Sequence, residues 1–192
     1  MPRNEQKAQT REKILAAAAR SFRKGGFGGV GVDGLSKDAG VTSGAFYKHF
    51  GSKAEAFRES VVQGVNDVIV GVRATQAAHG KTWWSEFIKF YLHEKRKCSL
   101  TESCGLQSLS AEVARADEAS RSAFTQELLV VAKAIVDGPK GSDAPDTVED
   151  AYAALATLVG AVTLARAVND AAMAKKIASN AERALLPERR KS

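Results

Sequence analysis

The chain has 192 residues, 44% of them apolar, with only 16 glycines and 4 prolines. That is enough to bury a core in one large or two small domains, and too little Gly and Pro for a fibrous or disordered protein. There is no long apolar run, so no membrane span is expected, and the opening MPRNEQKAQTREK lacks the apolar stretch of a secretion signal. The expected compartment is the cytoplasm. The net charge of +6 is unevenly placed: residues 1–53 hold ten Lys/Arg against four Asp/Glu, whereas residues 54–192 hold eighteen of each sign. A polyanion is therefore an expected partner of the N-terminal segment alone.

Residues 1–9 are polar and expected to fray. From about Thr10 to Lys24, Ile14, Leu15, Ala18 and Phe22 share one helical face, and Gly25-Gly26 stops the helix. The glycines that follow form neither a phosphate loop, since G-K-[ST] is missing, nor a dinucleotide fingerprint, since no strand precedes them. They read as a tight connection to a second helix, about Val32 to Ala39, with Gly31 near its N-cap. Gly40 ends that helix, and Thr42 caps a third through its hydroxyl. On the third helix Phe46 and Phe50 face inward while Ser43, Tyr47 and Lys48 point outward. Ser52-Lys53-Ala54-Glu55 is a capping box opening a fourth helix towards Ala78, with Phe57, Val61, Val65, Val68/Ile69 and Val72 as its stripe.

A fifth helix, about Thr82 to Lys95, carries Trp83, Trp84, Phe87, Phe90 and Tyr91. Residues 97–105 hold both cysteines and little periodicity. Helices follow at about Leu106 to Ala114 and Glu118 to Val136, the latter with Phe124, Leu128, Val131 and Ile135 in line. After the surface loop DGPKGSDAPD comes a helix, about Thr147 to Val168, that is apolar on two faces and so needs burying twice. One face carries Val148, Tyr152, Leu155, Val159 and Val162; the other carries Ala153, Thr157, Gly160, Ala161 and Leu164. The last helix, about Ala171 to Leu186, lines up Met173, Ile177, Ala181 and Leu185. Residues 187–192 are expected to be a disordered tail. The expected fold class is all-α, with about nine helices.

Two short helices joined at Gly40 have the form of a helix-turn-helix, whose second helix enters the DNA major groove. Thr42, Ser43 and Gly44 are small enough for close approach. Tyr47 can donate to a phosphate, Lys48 can reach a phosphate or a guanine edge, and Lys53 and His49 stand nearby. The stretch GFGGVGVDGLSKDAGVTSGAFYKHFGSKAEAF resembles the DNA-binding domain of the tetracycline-repressor (TetR) family of bacterial regulators, over roughly residues 10–60. Gly31 departs from the family pattern, which often has a phosphate-holding Ser or Thr there; only the Gly31 backbone N–H is left for that contact.

The resemblance implies a DNA-binding domain at 8–58, with the helix-turn-helix at about 32–51, and a regulatory and dimerisation domain at 59–186. It implies a homodimer on a palindromic double-stranded operator, released by a small-molecule effector. The fourth helix is then the transmitter, and Ala153, Thr157, Gly160, Ala161, Leu164, Ile177 and Ala181 are interface candidates. Trp83, Phe87, Tyr91, His93, Phe124 and Leu128 are pocket candidates, although each reads equally well as core. Cys98 and Cys104 lack C-x-x-C spacing and a histidine cluster, so no metal site is expected. A thiol or electrophile sensor beside Lys95, Arg96 and Lys97 is an alternative. A small helical enzyme or carrier is a weaker one, because no nucleophile–base pair or ligand spacing stands out. A sequence-independent architectural DNA binder is the third. No catalytic residues, no cofactor and no membrane partner are expected.

Overall fold

The computed structural model describes residues 3–141 and 143–186. Among them are nine α-helices and no strand: α1 (Arg3–Gly25), α2 (Val32–Asp38), α3 (Ser43–His49), α4 (Lys53–His79), α5 (Trp83–Lys89), α6 (Gly105–Val113), α7 (Glu118–Val136), α8 (Val148–Ala167) and α9 (Ala171–Leu185). The tail expected to be disordered lies outside the described residues. Packing divides the chain into two compact units: Met1–Val65 with Ser99–Glu127, and Asn66–Cys98 with Leu128–Ser192. These limits differ from the 8–58 and 59–186 division expected from sequence, because the first unit also takes in α6 and the first half of α7.

In the first unit, Ile14, Ala18 and Phe22 of α1 meet Leu35 of α2, Phe46 and Phe50 of α3, and Phe57 and Val61 of α4. Leu109 and Val113 of α6 complete this cluster, with Phe27, Ala116 and Phe124 packed against it. Phe22, Phe27 and Phe57 form an aromatic triad with centroids 5.2–6.1 Å apart, a spacing that favours edge-on and offset contacts. α6 crosses α4 at two glycines: a Cβ on Gly105 would stand 2.5 Å from the Gly64 Cα. At its other end, Glu112 accepts a hydrogen bond from the Phe27 N–H at 3.2 Å and pairs with Arg115 at 2.7 Å. Arg23 of α1 donates to the Ser103 carbonyl at 3.2 Å.

Three expectations in the first unit need correction. The N-terminus does not fray from residue 9: α1 begins at Arg3, carried by good helix formers, with Glu5 in the first turn favouring the helix dipole. Glu55 does not reach back to the Ser52 N–H as in a standard capping box. The Ser52 hydroxyl accepts from the Glu55 N–H at 3.0 Å, and the Glu55 carboxylate takes the Gly51 N–H at 2.8 Å. Phe124 does not join the fifth-helix aromatics, because its turn of α7 belongs to the first unit, whose core it closes.

In the second unit Trp83, Trp84, Phe87 and Tyr91 are buried in a run of ring contacts 5.3–6.4 Å apart. The Trp83 indole N–H donates to the Pro139 carbonyl at 3.0 Å, which satisfies its polar edge. The expected single helix to Lys95 slips after Lys89 into a π-helical turn, Phe90–Glu94. Phe90 is exposed while Tyr91 and Leu92 stay buried. Single 3₁₀ turns occupy Lys95–Lys97 and Leu100–Glu102.

Asp170 caps α9 by accepting the Ala172 and Met173 N–H groups at 2.7 and 3.1 Å, and Thr147 caps α8 through the Asp150 N–H at 3.1 Å. α8 buries Ala151, Ala154, Leu155, Leu158, Val162 and Ala165, and α9 buries Ala174 and Ala178. Contrary to the expected absence of a long apolar run, α8 is long and apolar enough by length and composition to cross a membrane, with mean hydropathy 1.4 over its best window, of which 39% is buried.

Candidate nucleic-acid interface

The turn between α2 and α3 is built by backbone hydrogen bonds. Gly40 adopts φ +68°, its N–H meets the Lys37 carbonyl at 3.0 Å, and the Val41 N–H meets the Ser36 carbonyl at 2.9 Å. This is a Schellman stop, which needs a left-handed residue and so favours glycine. Thr42 then caps α3, its hydroxyl accepting from the Ala45 N–H at 3.1 Å. Gly31 sits at the N-cap of α2 with no side-chain cap. Ser21 of α1 ties α2 in place by donating to Asp38 at 2.8 Å.

α3 therefore has a fixed back and an open front. Phe46 and Phe50 are fully buried. Thr42, Gly44, Tyr47 and Lys48 are exposed, Ser43 and His49 half-buried. Tyr47 is 55% exposed although its ring stands edge-on to Phe46 at 5.6 Å, so its orientation is set by the core while its hydroxyl faces out. Lys53 is half-buried with its ammonium 4.3 Å from the Phe27 ring, a contact worth about 0.5–1 kcal/mol at an exposed site and small beside a phosphate ion pair. His49 differs from the others: its Nδ1 is buried without a hydrogen-bond partner, and burial, then the charges of Lys7 and Arg11, hold its pKa below the ordinary 6.5.

Two features had no signal in the sequence. Arg11 grips Glu59 through both carboxylate oxygens at 2.5 and 2.6 Å and lies 4.7 Å from the Phe50 ring, so α1 braces the end of α3. Asp33, on the exposed first turn of α2, accepts the Ser43 hydroxyl at 2.6 Å. Neither pair follows a helical repeat, being 48 and 10 residues apart.

The other sequence candidates are spread through the chain. Cys98 is half-buried and Cys104 buried; both are free thiols. The Cys98 thiol donates to the Lys95 carbonyl at 2.9 Å, and Arg166 reaches the Cys98 carbonyl at 3.0 Å and its Sγ at 3.3 Å. Of the pocket candidates, Trp83, Phe87 and Tyr91 are buried. His93 lines a cleft of about 530 Å³ with Gly71, Thr75, His79, Lys89 and Phe90 and contacts Glu182 at 2.6 Å. Leu128 is half-buried on α7. Among the interface candidates Ala153 and Leu164 are exposed, Thr157, Gly160, Ile177 and Ala181 half-buried, and Ala161 already buried within its own chain.

A short capped helix with a buried apolar back and an exposed hydrogen-bonding front, set on a three-helix core, defines a helix-turn-helix DNA-binding protein. Residues 14–59 match the family model described as bacterial regulatory proteins, tetR family; in that segment the chain is similar to the DNA-binding domain of those regulators. Over 73 residues it is 33% identical to the HTH-type transcriptional activator FasR of Mycolicibacterium smegmatis, covering 38% of this chain and 32% of that protein; the match thus spans about a third of the curated relative's length. Among solved structures, the reduced form of E. coli NemR superposes with a TM-score of 0.75 at 22% identity, covering 92% of this chain and 95% of that one. A TetR-family regulator from Agrobacterium tumefaciens superposes at 0.69 and 18% identity, covering 93% and 98%. At such identities these likenesses establish the fold.

Proposed function

We propose that the protein is a homodimeric, cytoplasmic repressor that reads a palindromic operator with α3 and releases it when a small molecule occupies its C-terminal half. The observation that carries the DNA reading is the open front of α3, where Thr42, Ser43, Gly44, Tyr47 and Lys48 stand on a buried Phe46–Phe50 back. We assign 8–58 the DNA-binding role and 59–186 the regulatory and dimerising role, with α4, whose residues belong to both compact units, as transmitter.

Dimerisation is supported by what α8 and α9 leave uncovered: Tyr152, Leu164 and Met173 are 38%, 60% and 51% exposed. Large apolar side chains left exposed on these two helices are the kind that a partner surface covers. Two copies related by a two-fold axis would bring their α3 helices to successive major grooves, about 34–36 Å apart. An effector then acts by its differential affinity for the spacing that fits DNA and one that does not.

The test is selection of duplexes from random DNA by the full chain, repeated with a ligand library and followed by a promoter reporter in cells with and without the gene. The expected result is a palindrome with half-sites about 10 base pairs apart, raised reporter output without the gene, and release by at least one compound. Enrichment without sequence preference would return the architectural reading. Lower output without the gene would make the protein an activator, as FasR is named.

A second reading is favoured by the Arg166–Cys98 contact: release by an electrophile that alkylates Cys98, the more accessible thiol. Cys98→Ser should then abolish release by a maleimide while Cys104→Ser leaves it intact; release unchanged by Cys98→Ser disposes of it.

A further inference from the structure

We infer that Asp33 is a specificity-determining residue, which with Ser43 reads an exocyclic base amine in the major groove; this rests on α3 being the reading helix. Asp33 is exposed at the start of α2, and its Oδ1 accepts the Ser43 hydroxyl at 2.6 Å across the turn. Ser43 opens the reading helix, and in a helix-turn-helix the first residues of that helix meet base edges. The carboxylate is thus held beside the place where bases arrive.

Hydrogen-bond polarity does the rest. A free serine hydroxyl both donates and accepts, so it pairs with any base edge. With its proton given to Asp33, the Ser43 oxygen offers only lone pairs, and the ionised carboxylate is acceptor-only as well. The pair therefore presents acceptors alone. In the major groove, donors are found only on the cytosine N4 and adenine N6 amines; guanine O6 and N7 and thymine O4 are acceptors that the pair repels. The neighbouring phosphates are equally unsuitable partners for a carboxylate. The excess of basic residues in segment 1–53, ten Lys/Arg against four Asp/Glu, offsets its charge. Cytosine is the expected base, because in the major groove it shows only its N4 donor, whereas adenine adds the N7 acceptor that the pair repels.

The experiment is duplex selection by the full-length wild type, Asp33→Ala, Asp33→Asn and Ser43→Ala, with thermal unfolding of each. The wild type should enrich a C·G pair at one position in each half-site. Asp33→Ala should relax that position about tenfold, the scale of one base contact, and leave the other positions as they were. Asp33→Asn, nearly isosteric, should move the preference towards adenine, which a side-chain amide reads through N6 and N7. Ser43→Ala should weaken the same position. Adenine in the wild-type consensus, lost in Asp33→Ala, supports the amine reading with the other base. An unchanged consensus in both Asp33 variants overturns the inference, as does a uniform loss of affinity at every sequence, which a purely structural role would give. A wild type that enriches no duplex overturns the reading of α3 as well.

Discussion

Tyr47 and Lys48 sit side by side on α3 but are expected to fail differently when truncated. Tyr47→Ala removes a hydroxyl whose ring is oriented by Phe46, so affinity for the selected duplex should fall about tenfold with the salt dependence little changed. Lys48→Ala removes a charge; affinity should fall by a similar factor and the slope of log affinity against log salt should drop by about one. Fluorescence anisotropy across a salt series checks both, and unaltered affinity in both variants would remove α3 from the interface. His49 belongs to the same helix but to a different kind of effect. Its folded-state pKa lies below 6.5 through burial and the charges of Lys7 and Arg11, so the unfolded chain takes up the proton first. Stability is therefore full above about pH 6.5 and declines as the pH falls through the folded-state value. Urea midpoints at pH 7.5 and 5.5 should fall more for the wild type than for His49→Gln, in which nothing titrates at that position. Equal falls in the two would show that His49 makes no pH-dependent contribution.

The helices themselves were legible because each is written locally. Gly40, Thr42, Ser52 and Asp170 are cap residues whose chemistry acts within a few positions, and the 3.6-residue repeat of α4 marks side chains that are buried in the structure, from Phe57 to Val72. What escaped was set by partners distant in sequence. The affiliation of α6 depends on Gly105 meeting Gly64, on Glu112 holding the Phe27 N–H, and on Leu109 and Val113 entering a core begun by α1. In the candidate site, Tyr47 and Lys48 were visible as the polar side of an amphipathic helix. Asp33 was not, because only the fold brings it to Ser43. The glycine crossing yields a prediction at this scale. An added methyl on Gly105 would meet backbone, at 2.5 Å from the Gly64 Cα, and backbone cannot swing aside as a side chain does. Gly105→Ala should therefore cost about 1–3 kcal/mol of stability, the usual range for overpacking, despite alanine being the better helix former. Chemical denaturation measures it; a stabilised variant would mean that α6 is free to move off α4.

For the molecule as a whole, the proposed dimer ties α8 and α9 to DNA affinity. One α3 helix offers a handful of contacts, and a second copy at fixed spacing converts the second half-site into an intramolecular event. Breaking the dimer should thus weaken binding even when every DNA-contacting residue is intact. Gly160 is the place to break it. It lies on the small-residue face of α8, and a Cβ built there meets nothing within 4 Å, so a side chain leaves the backbone there without an immediate clash. Gly160→Arg consequently separates association from folding. The expected variant sediments as a monomer, keeps the wild-type circular dichroism spectrum, and binds the selected palindrome more weakly by about a hundredfold or more, the scale of usual avidity gains. Its affinity for a single half-site should be that of wild type. A dimer of undiminished strength would move the interface off this face of α8, and monomers that bind the palindrome as tightly as wild type would detach operator reading from dimerisation altogether.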